Sequence, residues 1–480
     1  MSKVIALAVL LLTLGISGAP AQADMDRGLT QREAIELWAK LDNDATNASV
    51  EVRQAGEKLH ISQEAVLQLF KILRQNGILA QELDWKLALI AERHRRFLQG
   101  PPASGDAPTK ISLEAWAAVA AGDYAKADAL LDEAERLDLD LALRDGAATE
   151  YRSRAARTRS ERGRLAMISL DYLAAATHLR IAIAFTPRAD REQRGMLRWL
   201  LATVLQAQGG ERGDSDALVK AIDLYRADLQ ERTTRERDAP KWAQRQNNLG
   251  VALVTLGRRG TGTASFEEAV EAYRLALQEI RRERAPRNWA LVQRNLGIVL
   301  WLMVKRNSIG EKWRLSQPGS LGGPSVQPKD VVAAYRLALQ EYTREQAPWD
   351  WAQIQRELGD ILVTLGGRSL AEAVVAYRLA LEEITREQQP KRWAQIQCDL
   401  AGALTELGAH EHATLGSRSS GTARLEEAVA AYRLALGEYA PKQPPKEWDS
   451  LPVAVESVRA FLVECRGRHV PRPRLIADER

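Results

Sequence analysis

Apolar residues recur at spacings of three and four along most of this 480-residue chain, which is the pattern of amphipathic helices. Leu249, Leu253 and Leu256 form one such stripe along a single helical face. Ser265 and Ser369 each stand three residues before a Glu at the start of a second kind of apolar stripe, as in a capping box. The pattern predicts an all-α chain.

The same helical stripe recurs as a repeated segment. Ala-Tyr-Arg-Leu-Ala-Leu occurs intact four times, after one looser copy. Each Tyr is followed by a Trp, after 17 residues once and after 16 residues four times, and the Pro before each Trp favours a helix start. The Tyr-to-Tyr spacings vary as 48, 62, 42 and 55, so only the other half of the unit accepts insertions. The pairs are Tyr225–Trp242, Tyr273–Trp289, Tyr335–Trp351, Tyr377–Trp393 and Tyr432–Trp448.

A repeat of this kind predicts stacked helix pairs that share one core. The first helix of a pair, helix A, reads Trp-Ala-x-x-Gln-x-x-Leu-Gly in three units, and the second, helix B, carries the Tyr. A Gly or an equivalent residue follows about eight positions after the Leu. We also expect the Arg after each Tyr to pair with a Glu on the same or an adjacent helix. These arginines are Arg226, Arg274, Arg336, Arg378 and Arg433.

These motifs resemble the tetratricopeptide repeat. The shortest spacing, 42 residues, and the run Asn247-Asn248-Leu249-Gly250 resemble the long, kinesin-light-chain-like type found in bacteria. The resemblance covers roughly residues 111–440. It implies an all-α, right-handed superhelical solenoid of antiparallel helix pairs, in which helices A line a concave groove that binds a peptide.

The composition of the chain suggests five segments. Residues 1–23 are expected to be a signal peptide, because Lys3 precedes an apolar run and Ala21-Gln22-Ala23 is a cleavage site, so we expect a periplasmic or secreted protein. An uncleaved, membrane-associated N-terminus is the alternative. The remaining segments are an N-terminal helical region (24–100), two short helix-pair repeats (111–187), long repeats with inserted loops (188–440), and a C-terminal capping helix with a tail (441–480).

Net charge and motif content argue against several classes of function. The net charge of +4 is too small to indicate nucleic-acid binding without a concentrated basic patch. The chain has no phosphate-cradling Gly-rich loop, no HExxH and no nucleophile elbow, so we expect no enzyme and no cofactor. Whether Cys398 and Cys465 pair stays open, since nothing in the pattern brings them together.

The groove predicted by the resemblance gives a set of candidate binding residues. They flank the Leu-Gly motif on helix A, and side-chain amides among them suit an extended backbone because each offers a donor and an acceptor. Polar residues that merely solvate an open face are the alternative. We call the set the polar row: Asn247, Asn248, Arg294, Asn295, Arg356, Glu357, Asp360 and Asp399.

Extra residues enter only between helix A and helix B and number 6, 20 and 13 relative to the 42-residue spacing. We expect them to form a ridge of loops on one edge of the solenoid. The longest loop would contain Trp313, and another would contain His410 and His412. Tolerated loop growth without a binding role is the alternative. Two histidines lack the three or four ligands of a zinc site, so we expect no metal.

The sequence thus favours a non-catalytic exported scaffold or adaptor that binds a protein or peptide in the concave groove. We expect no nucleic-acid partner and no membrane-spanning segment after signal cleavage. One alternative is a small-molecule or glycan carrier or sensor that uses the inserted loops. Another is a cytoplasmic regulator with nucleic-acid-binding N-terminal helices, because the stretch 59–73 faintly resembles a helix-turn-helix. The partner and the oligomeric state stay open.

Overall fold

A computed structural model describes residues 29, 31–43, 49–79, 82–99, 109–144, 148–231, 235, 238–260, 264–314, 327–414, 418–439 and 451–467. These residues form 19 helices and no strand. The expected signal peptide and the C-terminal tail lie outside the described residues. The chain divides into two compact units, residues 1–330 and 331–480.

The N-terminal helices are α1 (Gln31–Asn43), α2 (Ser49–Leu59), α3 (Gln63–Gln75) and α4 (Leu83–Leu98). Five more follow as α5 (Lys110–Ala120), α6 (Tyr124–Arg144), α7 (Ala148–Ile168), α8 (Tyr172–Phe185) and α9 (Arg191–Arg212). The next are α10 (Ser215–Glu231), α11 (Ala239–Gly257), α12 (Ala264–Glu279), α13 (Pro286–Arg314) and α14 (Pro328–Ala338). The last are α15 (Pro348–Leu365), α16 (Ser369–Glu383), α17 (Pro390–Thr414), α18 (Arg418–Tyr439) and α19 (Leu451–Gly467).

Helices that follow one another in the chain also pack against one another. In the first unit this holds from α5 through α13, and in the second unit from α15 through α19. The N-terminal helix α4 packs on α7 as well as on its neighbours α3 and α5. This arrangement confirms the predicted all-α solenoid of helix pairs. None of the described helices is both long and apolar enough to cross a lipid bilayer.

The Leu-Gly and Tyr positions of the repeat meet inside each helix pair. Tyr273 is 1% exposed, and a Cβ atom at Gly250 would lie 2.6 Å from its Cε1 atom. A Cβ atom at Gly359 would likewise lie 2.7 Å from Cε1 of Tyr377. The glycines are therefore needed because the phenol ring occupies the space of a side chain. Where the repeat has Ala401 in place of Gly, the partner Tyr432 is only half-buried.

The second repeated glycine lets the end of helix A approach the start of helix B. A Cβ atom at Gly257 would lie 2.6 Å from Cε1 of Phe266. In the last repeat, Gly408 and Gly421 face each other, and a Cβ atom at Gly421 would lie 2.8 Å from the Gly408 carbonyl oxygen. Glycines thus allow close approach both in the middle of the pair and at the end where helix A leads into helix B.

Two of the expected loops are at least partly helical. Helix α17 continues to Thr414 and α18 begins at Arg418, so the prediction that His410 and His412 lie in a loop is wrong. The residues after Gly408 contain no proline, and close packing against α18 lets both helices lengthen. Helix α13 likewise continues to Arg314 and includes the backbone of Trp313, whose side chain lies outside the described part of the chain.

Candidate binding site on the first helices of the pairs

The half of the polar row that belongs to the first unit is buried. Asn247 is 5% exposed, and Asn248, Arg294 and Asn295 are each 1% exposed. These residues lie on α11 and α13, two successive helices A that contact each other. Every residue from 246 to 255 is buried, so this stretch of α11 is enclosed on all its faces. The side chains therefore do not line an open surface in this unit.

Amide groups join the two helices at this point. Asn295 Nδ2 donates a hydrogen bond to Asn247 Oδ1 over 3.0 Å. Nδ2 of Asn248 and Oδ1 of Asn295 are buried without a hydrogen-bond partner among the described residues. The indole Nε1 of Trp199, on the preceding helix A, is also buried without a hydrogen-bond partner among the described residues. Polar atoms of this kind normally bind ordered water or a ligand when they are inside a protein.

The half of the polar row in the second unit is only partly covered. Arg356 Nη1 lies 3.5 Å from Asp399 Oδ2, and their side chains are 11% and 22% exposed. Gln395 Nε2 donates to Asp399 Oδ1 over 3.0 Å, and Tyr377 donates its hydroxyl hydrogen to Asp360 Oδ1 over 2.8 Å. The group presents carboxylate oxygens, an amide and a guanidinium, each held by a neighbour.

Burial and neighbouring charges both shift the pKa values of Arg356 and Tyr377. Burial by itself would lower the pKa of Arg356, but the carboxylates of Asp360, Asp399 and Glu357 outweigh it and raise that pKa. Burial raises the pKa of Tyr377, and the nearby Asp360 and Asp399 raise it further. The tyrosine therefore stays a neutral donor to Asp360. Glu357 is 7% exposed.

The two units use the same register for these contacts. Asn247 stands two positions before the Leu of its helix A, and its partner Asn295 stands one position before the Leu of the next. Arg356 and Asp399 occupy the same two positions in the second unit. Four residues of the polar row thus form two equivalent pairs, one in each unit, between successive helices A. Residues that can pair stand at these two positions, two amides in one case and an Arg and an Asp in the other. This complementarity could have indicated the contacts from the sequence.

A second recurrent contact, between an Arg and the repeated Trp, was not predicted from the sequence motifs. An Arg stands seven residues before the Trp in four units, and its guanidinium lies over the indole ring at 5.6 to 5.8 Å from the centroid. Three of the four also bind a Glu near the end of the next helix B. The stacked pairs are Arg235–Trp242, Arg282–Trp289, Arg344–Trp351 and Arg386–Trp393.

The predicted pairing of the Arg after each Tyr is confirmed for three units. Each of these arginines binds the Glu that stands five residues before the Tyr of the next helix B. These ion pairs are largely exposed and so contribute little each, about 0–1 kcal/mol. They are Arg226–Glu268, Arg336–Glu372 and Arg378–Glu427.

The remaining candidates do not form a cluster with the polar row. His410 and His412 are half-buried on α17, where Glu411 between them accepts a hydrogen bond from Ser420 over 2.5 Å. Within the described ranges, no group of three or more His, Cys, Asp or Glu side chains could hold a metal ion. Cys398 is a free, half-buried thiol whose pKa is raised by burial and by Asp399, and the side chain of Cys465 lies outside the described residues.

The start of α3 is the part of the N-terminal helices that bears on the helix-turn-helix alternative. In such proteins the first residues of the second helix enter the major groove of DNA. Here one side of the start of α3 is covered, since Ser62 Oγ donates to the Ala120 carbonyl over 2.8 Å, whereas Gln63 and Glu64 are exposed. A Cβ atom at Gly122 would lie 2.8 Å from Cα of Ala65. The turn between α5 and α6 therefore packs against this side of α3.

Comparison with known proteins identifies no family and finds only distant similarity to solved structures. No protein-family model matches the chain, and no curated protein matches it. Similar solved structures include the TPR2AB-domain:pHSP90 complex of yeast Sti1, at 14% identity, with 64% of this chain and 98% of that chain covered and a TM-score of 0.22. Another is the human IFIT1 dimer with PPP-AAAA, at 14% identity, with 96% and 90% covered and a TM-score of 0.29. Likeness at this level carries no conclusion about function.

Proposed function

We propose that this chain is a non-catalytic, exported scaffold that binds an extended protein or peptide segment along the helices A of its second unit. The observation that carries the proposal is the partly exposed group formed by Arg356, Asp360, Asp399 and Gln395, in which the Arg356 and Asp399 side chains are 11% and 22% exposed. The equivalent amides of the first unit are 1 to 5% exposed, so a ligand would have to separate two packed helices to reach them. The repeats, the expected signal peptide and the lack of catalytic motifs support the same function.

The chemistry of the group suits an extended segment with a basic side chain. Asp360 and Asp399 supply carboxylate oxygens, which accept hydrogen bonds from backbone N–H groups or from Lys and Arg. Tyr377 and Gln395 hold these carboxylates in place. Side chains that are ordered before binding lose less entropy when a ligand arrives, which favours affinity.

The test is a capture experiment with residues 24–480 as bait and an envelope extract as the source of partners. The variant Arg356→Gln/Asp399→Asn removes both charges together, so that neither is left uncompensated near the core. The control Arg226→Gln/Glu268→Gln removes one exposed pair on the helix B side, where the side chains are 45% and 40% exposed. A substitution such as Asn248→Arg is unsuitable, because it would force a charge into a buried position.

The expected result is a protein retained by the wild type and by the control but lost from the Arg356→Gln/Asp399→Asn variant. Direct titration of a peptide from that protein should then show the same order of affinities. Equal retention by all three folded baits would contradict a site on the second unit.

Export is tested separately by expressing the full chain in a bacterial host and sequencing the N-terminus of the periplasmic product. The expected mature chain begins at Asp24. An intact chain that starts at Met1 and stays in the cytosol would contradict an exported scaffold.

A further inference from the structure

The turn between α12 and α13 has an unusual concentration of positive charge. Residues 281–287 include four arginines and one carboxylate, that of Glu283. Arg281, Arg282 and Arg284 are exposed, and Arg287 is half-exposed. The excess charge is therefore presented to the solvent.

Only one of these arginines has the repeated structural role. Arg282 lies over Trp289 at 5.6 Å, as its counterparts do in three other turns. At the positions of Arg281 and Arg284, the turn before α15 has Thr343 and Gln346. The turn before α17 has threonine and glutamine at the same two positions.

The turns nevertheless have the same backbone structure. Ala285 N donates to the Arg281 carbonyl over 3.0 Å, and Ala347 N donates to the Thr343 carbonyl over the same distance. The equivalent bond before α17, from Gln389 N to the Thr385 carbonyl, is also 3.0 Å. Since two turns form this structure with Thr and Gln in place of Arg281 and Arg284, the fold does not require these two arginines.

The additional arginines also lack the acidic partners that other surface arginines have. Arg226, Arg336 and Arg378 each bind a Glu of the next helix B. Within the part of the chain that the structure describes, no carboxylate lies within ion-pair distance of the side chains of Arg281 or Arg284, or of the third additional arginine, at position 287. Their positive charge is available to a partner.

We propose that Arg281, Arg284 and Arg287, the arginine turn, form a docking surface for an acidic segment of a partner protein, a short run of Asp or Glu. The guanidinium group binds carboxylates through two parallel N–H donors, which suits such a run. The site lies in the first unit and is separate from the proposed segment-binding site of the second unit.

The surroundings favour an acidic protein segment over a membrane or a nucleic acid. The exposed neighbours Glu283 and Asn288 are polar, so the turn offers no large apolar side chain to enter a bilayer. Trp289 is half-buried beneath Arg282, so its face is not open for stacking with a base.

The test measures binding of a labelled oligo-glutamate peptide to residues 24–480 at low salt. The variant Arg281→Thr/Arg284→Gln installs the residues found in the turns before α15 and α17. The matched control Lys126→Gln/Arg152→Gln removes two exposed charges from α6 and α7. Parallel measurements use phosphatidylglycerol vesicles and single-stranded DNA, and circular dichroism checks that each variant is folded.

We expect the turn variant to bind the peptide about tenfold more weakly than the wild type, as the loss of two exposed ion pairs implies, and the control to bind nearly as well as the wild type. An equal loss in both variants would overturn the proposal, because it would show a general charge effect. Tighter binding of vesicles or DNA than of the peptide would also overturn it, in favour of that other partner.

Discussion

At the scale of single residues, the glycine of the Leu-Gly motif decides how closely helices A and B approach. Gly250→Ala would place a methyl group 2.6 Å from the ring of Tyr273, which is itself fully packed. We expect the overpacking to outweigh the better helix propensity of alanine and to lower the free energy of unfolding by about 1–3 kcal/mol. Urea unfolding followed by circular dichroism measures the change.

Gly402→Ala is the matched control for that substitution. Gly402 lies on α17, one position after Ala401, and the nearest atom to a Cβ there is the Tyr432 hydroxyl oxygen, 3.8 Å away. With room for the methyl group, the change should raise stability by about 0.5–1 kcal/mol. Similar effects of the two substitutions would contradict the role assigned to the Gly–Tyr contact.

A second residue-scale prediction concerns His94 on α4. Its side chain is 0% exposed, its Nδ1 atom lies 2.9 Å from the Tyr124 hydroxyl oxygen, and burial, with a smaller effect of Arg95, lowers its pKa to about 4. An unfolded histidine has a pKa of about 6.5. Below that pH the unfolded chain binds a proton that the folded chain rejects, so stability falls as the pH drops from about 6.5 towards 4.

The size of this effect is at most about 3 kcal/mol, the equivalent of the full pKa difference. In His94→Gln, the loss of unfolding free energy between neutral and acidic pH should be smaller than in the wild type. His60→Asn, a change at an exposed position with φ of 53° that suits asparagine, should keep the wild-type slope. Parallel slopes for all three proteins would rule out His94 as the cause.

At the scale of helices, the turn from helix B to helix A is held by the stacked arginine. Arg386 lies 5.6 Å from the Trp393 ring centroid and binds Glu438 of the following helix B at 2.7 Å. Arg386→Ala should lower the unfolding free energy by about 1 kcal/mol, because both contacts are exposed. Arg386→Lys should restore part of the loss, since an ammonium group can pair with Glu438 but cannot stack as a planar group.

Arg433→Ala is the control for this element. Arg433 is exposed on α18, and its side chain has no partner among the described residues. Its removal should change stability by less than about 0.5 kcal/mol. A loss as large as that of Arg386→Ala would show that the effect comes from net charge.

At the scale of the whole molecule, a buried group of charged side chains in the first unit joins the N-terminal helices to the repeats. Lys86 and Arg93 on α4 both approach Glu211 on α9, and the three side chains are 7 to 9% exposed. Lys86 forms an ion pair with Glu211, and Arg93 donates to the Met167 carbonyl over 2.7 Å. Burial lowers the pKa of Lys86, against the attraction of Glu211. One carboxylate therefore balances two buried cations.

The balance predicts unequal effects of two substitutions. Glu211→Gln leaves both cations without their ion-pair partner, with only the weaker attraction of Glu82 left for Lys86, and should lower stability by about 3–5 kcal/mol. Lys86→Met leaves Glu211 to pair with Arg93, so the loss should be smaller. Limited proteolysis should cut the N-terminal helices away from the Glu211→Gln protein first. The reverse order of the two variants would contradict a buried link through Glu211.

The repeated contacts could be predicted because they are local in sequence. The Leu-Gly motif and the Tyr of the same pair are 18 residues apart in Gly359–Tyr377, so two adjacent apolar stripes already specify their meeting. The same reasoning failed for the loop that contains His410, because helix length there depends on the approach of Gly408 to Gly421 across the pair. No local pattern distinguishes a lengthened helix pair from a loop of the same size.

The sequence by itself determined the all-α class, the helix pairs and the register of their apolar faces, because these follow from spacings within one unit. Only the tertiary structure decided which polar side chains are open to a ligand. Asn247 meets Asn295 from 48 residues away, and whether such a contact seals or exposes the amides depends on the distance between successive helices A. That distance results from the packing of whole helices, so residue spacing alone does not specify it.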